Sequence, residues 1–293
     1  MRILVTGGTG QVGAALARRA WPHGIVLDLP TRAELDLAAP DRIAAHIEEG
    51  GYAAIINPAA YTAVDKAESD SVSAWTINAL APAALAAAAA RAGIPLVHVS
   101  TDYVFDGSKA GAYLEDDGVK PLGIYGASKE GGEQAVRTGN PRSVIVRTSW
   151  VFSASGTNFV RTMLRLAASR DEVRVVDDQH GCPTSADDLA AVLAAVALRL
   201  IEDPAAPTGT YHFTNQGETT WCGFAREIFR LTAAAGLKVP QVKAIATRDY
   251  PTPARRPSNS VLSREKLARD YGLSARPFTE ALGEVLDDLR RQQ

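Results

Sequence analysis

Ile3-Leu4-Val5-Thr6-Gly7-Gly8-Thr9-Gly10-Gln11-Val12-Gly13, residues 3–13, sets the reading of the whole chain. The four apolar or near-apolar positions from Ile3 to Thr6 predict a short buried strand. The glycines follow as G-x-x-G-x-x-G, and a helical pattern from Gln11 to Ala20 opens inside them. A glycine turn between strand and helix leaves backbone amides free at the helix N-terminus. Such amides attract a pyrophosphate, and glycine lets the phosphate come close to the backbone. The spacing alone is a weak signal, but its place directly after a first strand makes it strong. Gly7, Gly10 and Gly13 are therefore candidate dinucleotide-binding residues.

Outward from this turn, strand and helix signals alternate. Ile25 to Leu29 reads as the second strand, Asp41 to Glu49 as a helix and Ala53 to Asn57 as the third strand. A long helix is expected from Asp70 to Ala92, a strand from Pro95 to Ser100, a helix starting near Tyr125 and a strand from Ser143 to Thr148. Alternation of this kind predicts a parallel sheet covered on both faces. Right-handed crossovers then make the fold class α/β, a doubly wound parallel sheet of the Rossmann kind, over residues 1–150. Beyond residue 150 the pattern changes. Helices are expected at Asn158 to Ala168 and Ala186 to Leu200, short strands at Val173 to Val176 and Thr210 to Thr214. The helix near 184–202 is expected to return to the first domain. The rest of 151–293 reads as a smaller, partly discontinuous α/β substrate domain. Tyr250-Pro251-Thr252-Pro253-Ala254-Arg255-Arg256-Pro257 is expected to be an ordered loop or a linker, because proline excludes helix and central strand.

Composition narrows the function classes. Hydrophobic residues make up 46% and charged residues 22% of 293 residues, which argues against extensive disorder. The formal charge of −2 lacks the basic excess that recruits nucleic acid or an anionic membrane. The apolar start is too short for a secretory signal. The alanine-rich run from Leu80 to Ala90 is broken by Pro82 and ends at Arg91, so it reads as a helix on a sheet and not as a membrane span. A cytoplasmic location is expected. Two cysteines, Cys182 and Cys222, are too few for a disulfide framework. The five histidines (His23, His46, His98, His180, His212) form no pair at helical spacing, so no metal site is expected.

Asp28 closes the second strand, where a carboxylate can accept hydrogen bonds from an adenosine ribose. It favours NADH, because it repels a 2′-phosphate. Arg18, Arg19 and Arg32 lie near enough in sequence to leave NADPH open. Tyr125-Gly126-Ala127-Ser128-Lys129 is a Tyr-x-x-x-Lys pair. On a helix those positions share a face. An ammonium beside the phenol would pull its pKa toward neutrality and let it give a proton to a carbonyl oxygen as hydride arrives at carbon. Ser100-Thr101-Asp102-Tyr103 leaves the fourth strand at its carboxyl end, the side on which a doubly wound sheet holds its crevice. The Thr101 hydroxyl can bond the same carbonyl oxygen.

These residues resemble the extended short-chain dehydrogenases/reductases and, within them, the dTDP-4-dehydrorhamnose reductase family. The segments that carry the resemblance are TGGTGQVG (6–13), NPAAYTAVDKAES (57–69), STDYVFDG (100–107), YGASKEGGE (125–133), RTSWVF (147–152), DQHGCPTSADDLA (178–190), YHFTN (211–215) and RPSNSVL (256–262). The resemblance implies reduction of the C4 keto group of a dTDP-sugar by NADPH or NADH, with dTDP-4-dehydro-β-L-rhamnose as substrate. It implies Thr101, Tyr125 and Lys129 as the catalytic set. Gly10, Gln11 and Val12 would touch the pyrophosphate. Asp28, Asp36 and Leu37 would surround the adenosine end, and Ala60, Tyr61, Thr62 and Val99 would line the way to the nicotinamide. Thr101, Asp102 and Trp150 would contact the sugar nucleotide. Pro58 stands where alanine is usual. Some relatives hold Mg²⁺ with glutamates at a dimer interface; the first-helix position is Ala15 here, so a homodimer stays possible without that metal.

Other readings stand beside these. Trp150 could be core. Asp65, Lys66 and Glu68 could be capping charges on a solvated helix start. Arg255 and Arg256, near Asn259, are either a surface pair or cations for a diphosphate, with Arg256 the candidate. His180 reads as a hydrogen-bonded loop residue. An epimerase or dehydratase that retains NAD is the first rival function, although a dehydratase needs a second carboxylate where Tyr103 follows Asp102. A non-catalytic regulator, like the methionine adenosyltransferase β-subunit, is the second rival.

Overall fold

Residue-by-residue alternation along buried strands builds the centre of the molecule. In β1 (Arg2–Val5), Ile3 and Val5 face one side of the sheet and Leu4 the other. The computed structural model describes residues 1–292; Gln293, the last residue of the expected substrate domain, lies outside the described residues. The glycine turn leads into α1 (Gln11–Arg18), followed by β2 (Val26–Asp28), α2 (Ile43–Gly50) and β3 (Tyr52–Asn57). Two short helices, α3 (Val64–Ala67) and α4 (Ser71–Trp75), precede α5 (Ala81–Arg91) and β4 (Leu96–Thr101). Then come α6 (Ile124–Gly139), β5 (Ser143–Thr148), β6 (Val151–Phe152), α7 (Phe159–Ala167), β7 (Glu172–Val176), β8 (His180–Gly181) and β9 (Thr184–Ser185). The chain ends with α8 (Ala186–Glu202), β10 (Gly209–His212), β11 (Thr219–Thr220), α9 (Trp221–Ala234), β12 (Gln241–Ile245), α10 (Glu265–Tyr271) and α11 (Phe278–Arg291).

Six parallel strands form the main sheet in the order β10-β5-β4-β3-β1-β2. Helices α1 and α8 cover one face and α2, α5 and α6 the other, which is the doubly wound α/β class expected from the sequence. The strand order reverses between β1 and β3, so the crevice opens at their carboxyl ends, beside the glycine turn. The strand expected at Thr210 to Thr214 is β10. It does not join the small sheets of the second half; it pairs in parallel with β5, Tyr211 opposite Val146, and brings Tyr211 and Phe213 into the core of the main sheet. A second apolar cluster gathers α7, α9 and α11 around the parallel pair β7 and β12, with Phe152, Phe224 and Phe278 inside. The proline-rich run 250–257 is an ordered loop without helix or ladder strand.

The long helix expected from Asp70 to Ala92 is interrupted. Pro82 has no N–H for the Asn78 carbonyl, and the register opens into a π turn over Thr76–Leu80. This apolar run, Ser71–Arg91, is half buried against the sheet and α6.

One buried ion pair ties α6 to the sheet. Glu133 is fully buried and accepts hydrogen bonds from Arg147 Nε (2.8 Å) and Nη2 (2.7 Å), Ser100 Oγ (2.6 Å) and Arg137 Nη1 (2.9 Å). Burial alone would raise its carboxyl, but Arg147, Ser100 and Arg137 outweigh it and hold it below the ordinary glutamate value. Replacing Glu133 with Ala leaves Arg147 uncompensated, and urea unfolding is expected to show a loss of about 3–5 kcal/mol. In the unaltered protein this contribution is complete above the ordinary glutamate range. It is lost as pH falls through the lowered folded-state value.

Candidate active site

The glycine turn is built for an anion. Gly7 adopts φ 63°, and a Cβ there would meet Ala59 at 3.0 Å. A Cβ on Gly13 would lie 2.1 Å from the Gly7 carbonyl oxygen, so the turn can close only with glycine. No side chain caps the first turn of α1, which leaves its amides, from Gln11 onward, free for a pyrophosphate. The Gln11 side chain faces the second half: its Oε1 accepts from Ser153 Oγ (2.9 Å) and Asn158 Nδ2 (3.0 Å). Val12 packs on the core below. The turn thus fits a dinucleotide on its own geometry.

At the adenosine end, Asp28 closes β2. Its Oδ2 accepts from Arg2 Nη2 (2.8 Å) and from the Tyr52 hydroxyl. Its charge is thereby partly compensated. Asp36 is tied locally, accepting from the Ala38 amide (2.9 Å), and Leu37 packs against the cluster around Leu4 and Leu35. Ala60, Tyr61 and Thr62 follow β3, and the Tyr61 hydroxyl donates to Asp70 Oδ2 (3.0 Å).

Thr101, Asp102 and Lys129 are buried together at the carboxyl end of β4, with Tyr125 partly buried beside them. Thr101 Oγ1 donates to Asp102 Oδ1 (3.0 Å) and accepts from the Tyr103 amide (3.2 Å). Burial pushes the Asp102 carboxyl up to about 6, against the opposing pull of the Ser260 and Thr101 hydroxyls. Its Oδ2 has no hydrogen-bond partner among the described residues. Tyr103 packs edge-on against Tyr125, ring centroids 5.4 Å apart.

Lys129 does not do what its helical spacing suggested. Its Nζ donates to the Val99 carbonyl (2.7 Å) and lies 3.4 Å from His98 Nε2. The Tyr125 phenol is raised by burial to about 12, with the Thr101 hydroxyl lowering it and Asp102 raising it. The expected pull toward neutrality is absent because the long lysine stem carries the ammonium to a backbone carbonyl instead. Burial lowers Lys129 to about 8.

Two side chains that the sequence reading did not use as site residues hold this ridge. The π turn directs Asn78 inward, where Oδ1 accepts from the Tyr61 amide (2.8 Å) and Nδ2 donates to the Tyr61 carbonyl (3.1 Å) and Ser128 Oγ (3.0 Å). Asn78 thus joins the loop after β3 to α6. Glu68 accepts from the Ile124 amide (2.8 Å) and caps α6, whose own N-cap, Gly123, has no side chain to do so. Of its neighbours, Lys66 pairs with Asp70 (3.8 Å), and Asp65 binds Arg256 with both oxygens (3.0 and 2.7 Å). The Arg256 guanidinium is therefore committed to a carboxylate of the first half.

The distant segments 100–113, 178–185 and 256–263 form one wall. Ser258 Oγ donates to the Gly107 carbonyl (2.9 Å), Tyr113 N to the Val261 carbonyl (2.8 Å) and His180 N to the Ser258 carbonyl (2.8 Å). Asn259 Nδ2 donates to the carbonyls of Lys109 and Gly111, and His180 Nδ1 faces Glu218 at 3.3 Å. Trp150 leaves β5 with φ 50°, a strained value for a bulky residue, and stacks on Trp221 at 3.7 Å between centroids. Gly181 lies against its ring, where a Cβ would come within 2.5 Å. Trp221 is not singled out by any motif; a tryptophan just after a threonine N-cap is the one local signal for it.

The RmlD substrate binding domain family model matches residues 1–291. The dTDP-4-dehydrorhamnose reductase of Burkholderia thailandensis is 46% identical over 299 residues, covering 100% of each chain. The crystal structure of the dTDP-4-dehydrorhamnose reductase of Clostridium acetobutylicum superposes with a TM-score of 0.92 at 40% identity, covering 99% of this chain and 100% of that one. The Bacillus anthracis dTDP-4-dehydrorhamnose reductase in complex with NADP superposes with a TM-score of 0.89 at 35% identity, covering 98% and 99%. Its glycine cradle, its Thr–Tyr–Lys ridge and these likenesses along the whole length place the chain in the RmlD family of dTDP-4-dehydrorhamnose reductases.

Proposed function

We propose that the protein reduces the C4 keto group of a nucleotide-linked 6-deoxy-4-keto sugar, dTDP-4-dehydro-β-L-rhamnose, to the C4 alcohol of dTDP-β-L-rhamnose with NADPH or NADH. The observation that carries this reading is the meeting of Thr101, Tyr125 and Lys129 at the carboxyl end of β4, beside a glycine cradle, in a chain of this family. The dihydronicotinamide supplies the hydride when bound. Gly7, Gly10, Gln11, Val12 and Gly13 hold the pyrophosphate, and the compensated Asp28 carboxylate accepts from the ribose. The Tyr125 phenol, protonated at neutral pH because burial raises it, gives its proton to the oxygen that develops charge at C4. Thr101 orients that oxygen, and Asp102, buried behind it, holds the Thr101 hydroxyl through Oδ1. The stacked Trp150 and Trp221 offer a flat apolar face to the nucleotide. The cluster of α7, α9 and α11 with β7 and β12 serves as the sugar-nucleotide lobe, discontinuous because α8 and β10 belong to the main sheet. Arg256 acts on the substrate at most through Asp65 and the loop it braces.

The test couples the protein to a dehydratase and an epimerase that make the 4-keto sugar, follows NAD(P)H oxidation and identifies the product by NMR. Tyr125→Phe is expected to lower kcat about 10²- to 10⁴-fold with its circular dichroism unchanged. Full turnover by a folded variant would overturn the mechanism.

The Lys129 ammonium is present below about pH 8 and lost above it. The profile of kcat/KM for the free enzyme is therefore expected to fall on the alkaline side near pH 8. A profile flat to pH 10 would contradict this. The reading extends to a homodimer formed through Val72, Trp75 and Leu80, which are 79%, 40% and 55% exposed on neighbouring helical turns. Light scattering is expected to give twice the chain mass, and Trp75→Glu to return it to one chain.

A further inference from the structure

His98 lies within β4, is fully buried and has no part in the steps above. Its ring touches two of the elements that make the site. Nε2 lies 3.4 Å from Lys129 Nζ. Nδ1 lies 2.9 Å from Asn57 Nδ2, and Asn57 Oδ1 accepts from Thr6 Oγ1 at 2.5 Å, so the amide as placed presents its NH₂ to the ring. Thr6 follows β1, while Asn57 and His98 lie in β3 and β4, so the three side chains bridge adjacent strands. All four residues are buried. A continuous polar chain thus runs from the start of the glycine turn to the lysine on α6.

Proton arithmetic decides how this chain is wired. Burial and the neighbouring Lys129 ammonium hold His98 well below its ordinary pKa, so the ring is neutral and carries one N–H. An ammonium can only donate. Nε2 facing it must therefore be the acceptor, and the ring proton belongs on Nδ1. Nδ1–H then needs an acceptor, which the Asn57 carbonyl oxygen supplies once the amide is turned to face it. The amide NH₂ then faces Thr6 Oγ1 in place of the oxygen that Thr6 now bonds, which requires the two to move slightly apart. A half-turn of an amide exchanges its oxygen and nitrogen without changing its shape. The opposite wiring sets Nε2–H against the ammonium, two donors face to face in a dry interior, which is costly. Lys129 Nζ also donates to the Val99 carbonyl at 2.7 Å. With Val99 and His98 taking two of its three N–H groups, the direction of the third is fixed.

We propose that His98 is a positioning residue: its neutral ring, braced by Asn57 and Thr6, accepts a hydrogen bond from Lys129 and so, together with the Val99 carbonyl, fixes the direction of the ammonium's remaining proton. This rests on the reductase reading, since only there does the aim of Lys129 govern turnover. The charged groups that face the network are Lys129 itself and Glu133, one turn further along α6.

Two variants and one spectrum test it. His98→Leu removes the acceptor and keeps an apolar filling. It is expected to lower kcat about ten- to a hundredfold, the loss typical of a misplaced catalytic group. The alkaline limb of kcat/KM is expected to move to lower pH, because the charged form of Lys129 loses a hydrogen bond. His98→Gln, which restores an acceptor, is expected to recover most of the rate and return the limb. If both variants melt lower but keep the pH profile of the unaltered protein, His98 is structural only and the proposal fails. Should His98→Leu not fold, ¹⁵N NMR of histidine-labelled unaltered protein at pH 7 decides. The proposal requires a resonance pair with Nδ1 protonated and Nε2 bare for His98; an Nε2–H tautomer or an imidazolium overturns it. Failure of the unaltered protein to reduce any 4-keto sugar would strike the reductase reading, while the tautomer result still judges the hydrogen-bond network.

Discussion

Glu133 lies two helical turns beyond Tyr125 and one beyond Lys129, on the same face of α6. It has no exposure to water and is bound on both oxygens, chiefly by Arg147 of β5. Taking two charges out of water costs several kcal/mol per ion, and only well-made contacts return that cost. The pair consequently tolerates little sliding of α6 along the sheet. Because Tyr125 and Lys129 ride on that helix, a contact far from the chemistry sets where the phenol and ammonium stand. Glu68 at the helix start and Asn78 at its flank complete the constraint. A Cβ on Gly132 would meet the Asn78 carbonyl oxygen at 2.1 Å, which shows how closely α6 approaches the π turn.

Much of this was legible in the residues because buried parallel strands read as unbroken apolar runs. Ile3 to Thr6, Ala53 to Asn57, Pro95 to Ser100 and Ser143 to Thr148 gave the sheet its inner strands with ends shifted by a residue or two. The glycine turn declared itself by order along the chain. Other features depend on tertiary partners that no local pattern contains. β10 is a short strand whose place next to β5 comes from topology, not from neighbours in sequence. The helices α9 and α11 carry apolar residues at helical spacing, Phe224-Ile228-Phe229 and Leu282-Val285-Leu286-Leu289 among them. The proline-bearing loops between them mask this spacing in the sequence. The π turn could have been suspected at Pro82, but which side chain it would turn inward could not.

The Tyr–Lys pair shows the same limit at finer scale. Helical spacing places Cβ atoms on one face, and that inference stands. It does not say where a four-carbon stem delivers its ammonium. In the folded chain the nearest strong acceptor is the Val99 carbonyl, so the phenol's acidity is set by burial and by Thr101 and Asp102. Asp28 teaches a parallel lesson. As an isolated carboxylate it would oppose a phosphate. With Arg2 and Tyr52 on one of its oxygens, that opposition is reduced, which accords with a family that has a structure in complex with NADP.

The place of β10 bears on the birth of the molecule. A ribosome releases β1 to β5 long before residues 186–213, which supply both the helix beneath the sheet and the strand along its rim. During that interval β5 offers an unsatisfied row of amides and carbonyls beside a bare apolar floor, the surface on which nascent chains stick to one another. A split or fused version is therefore best cut outside residues 186–213, so that the piece carrying β5 also carries the helix and the strand that close the sheet.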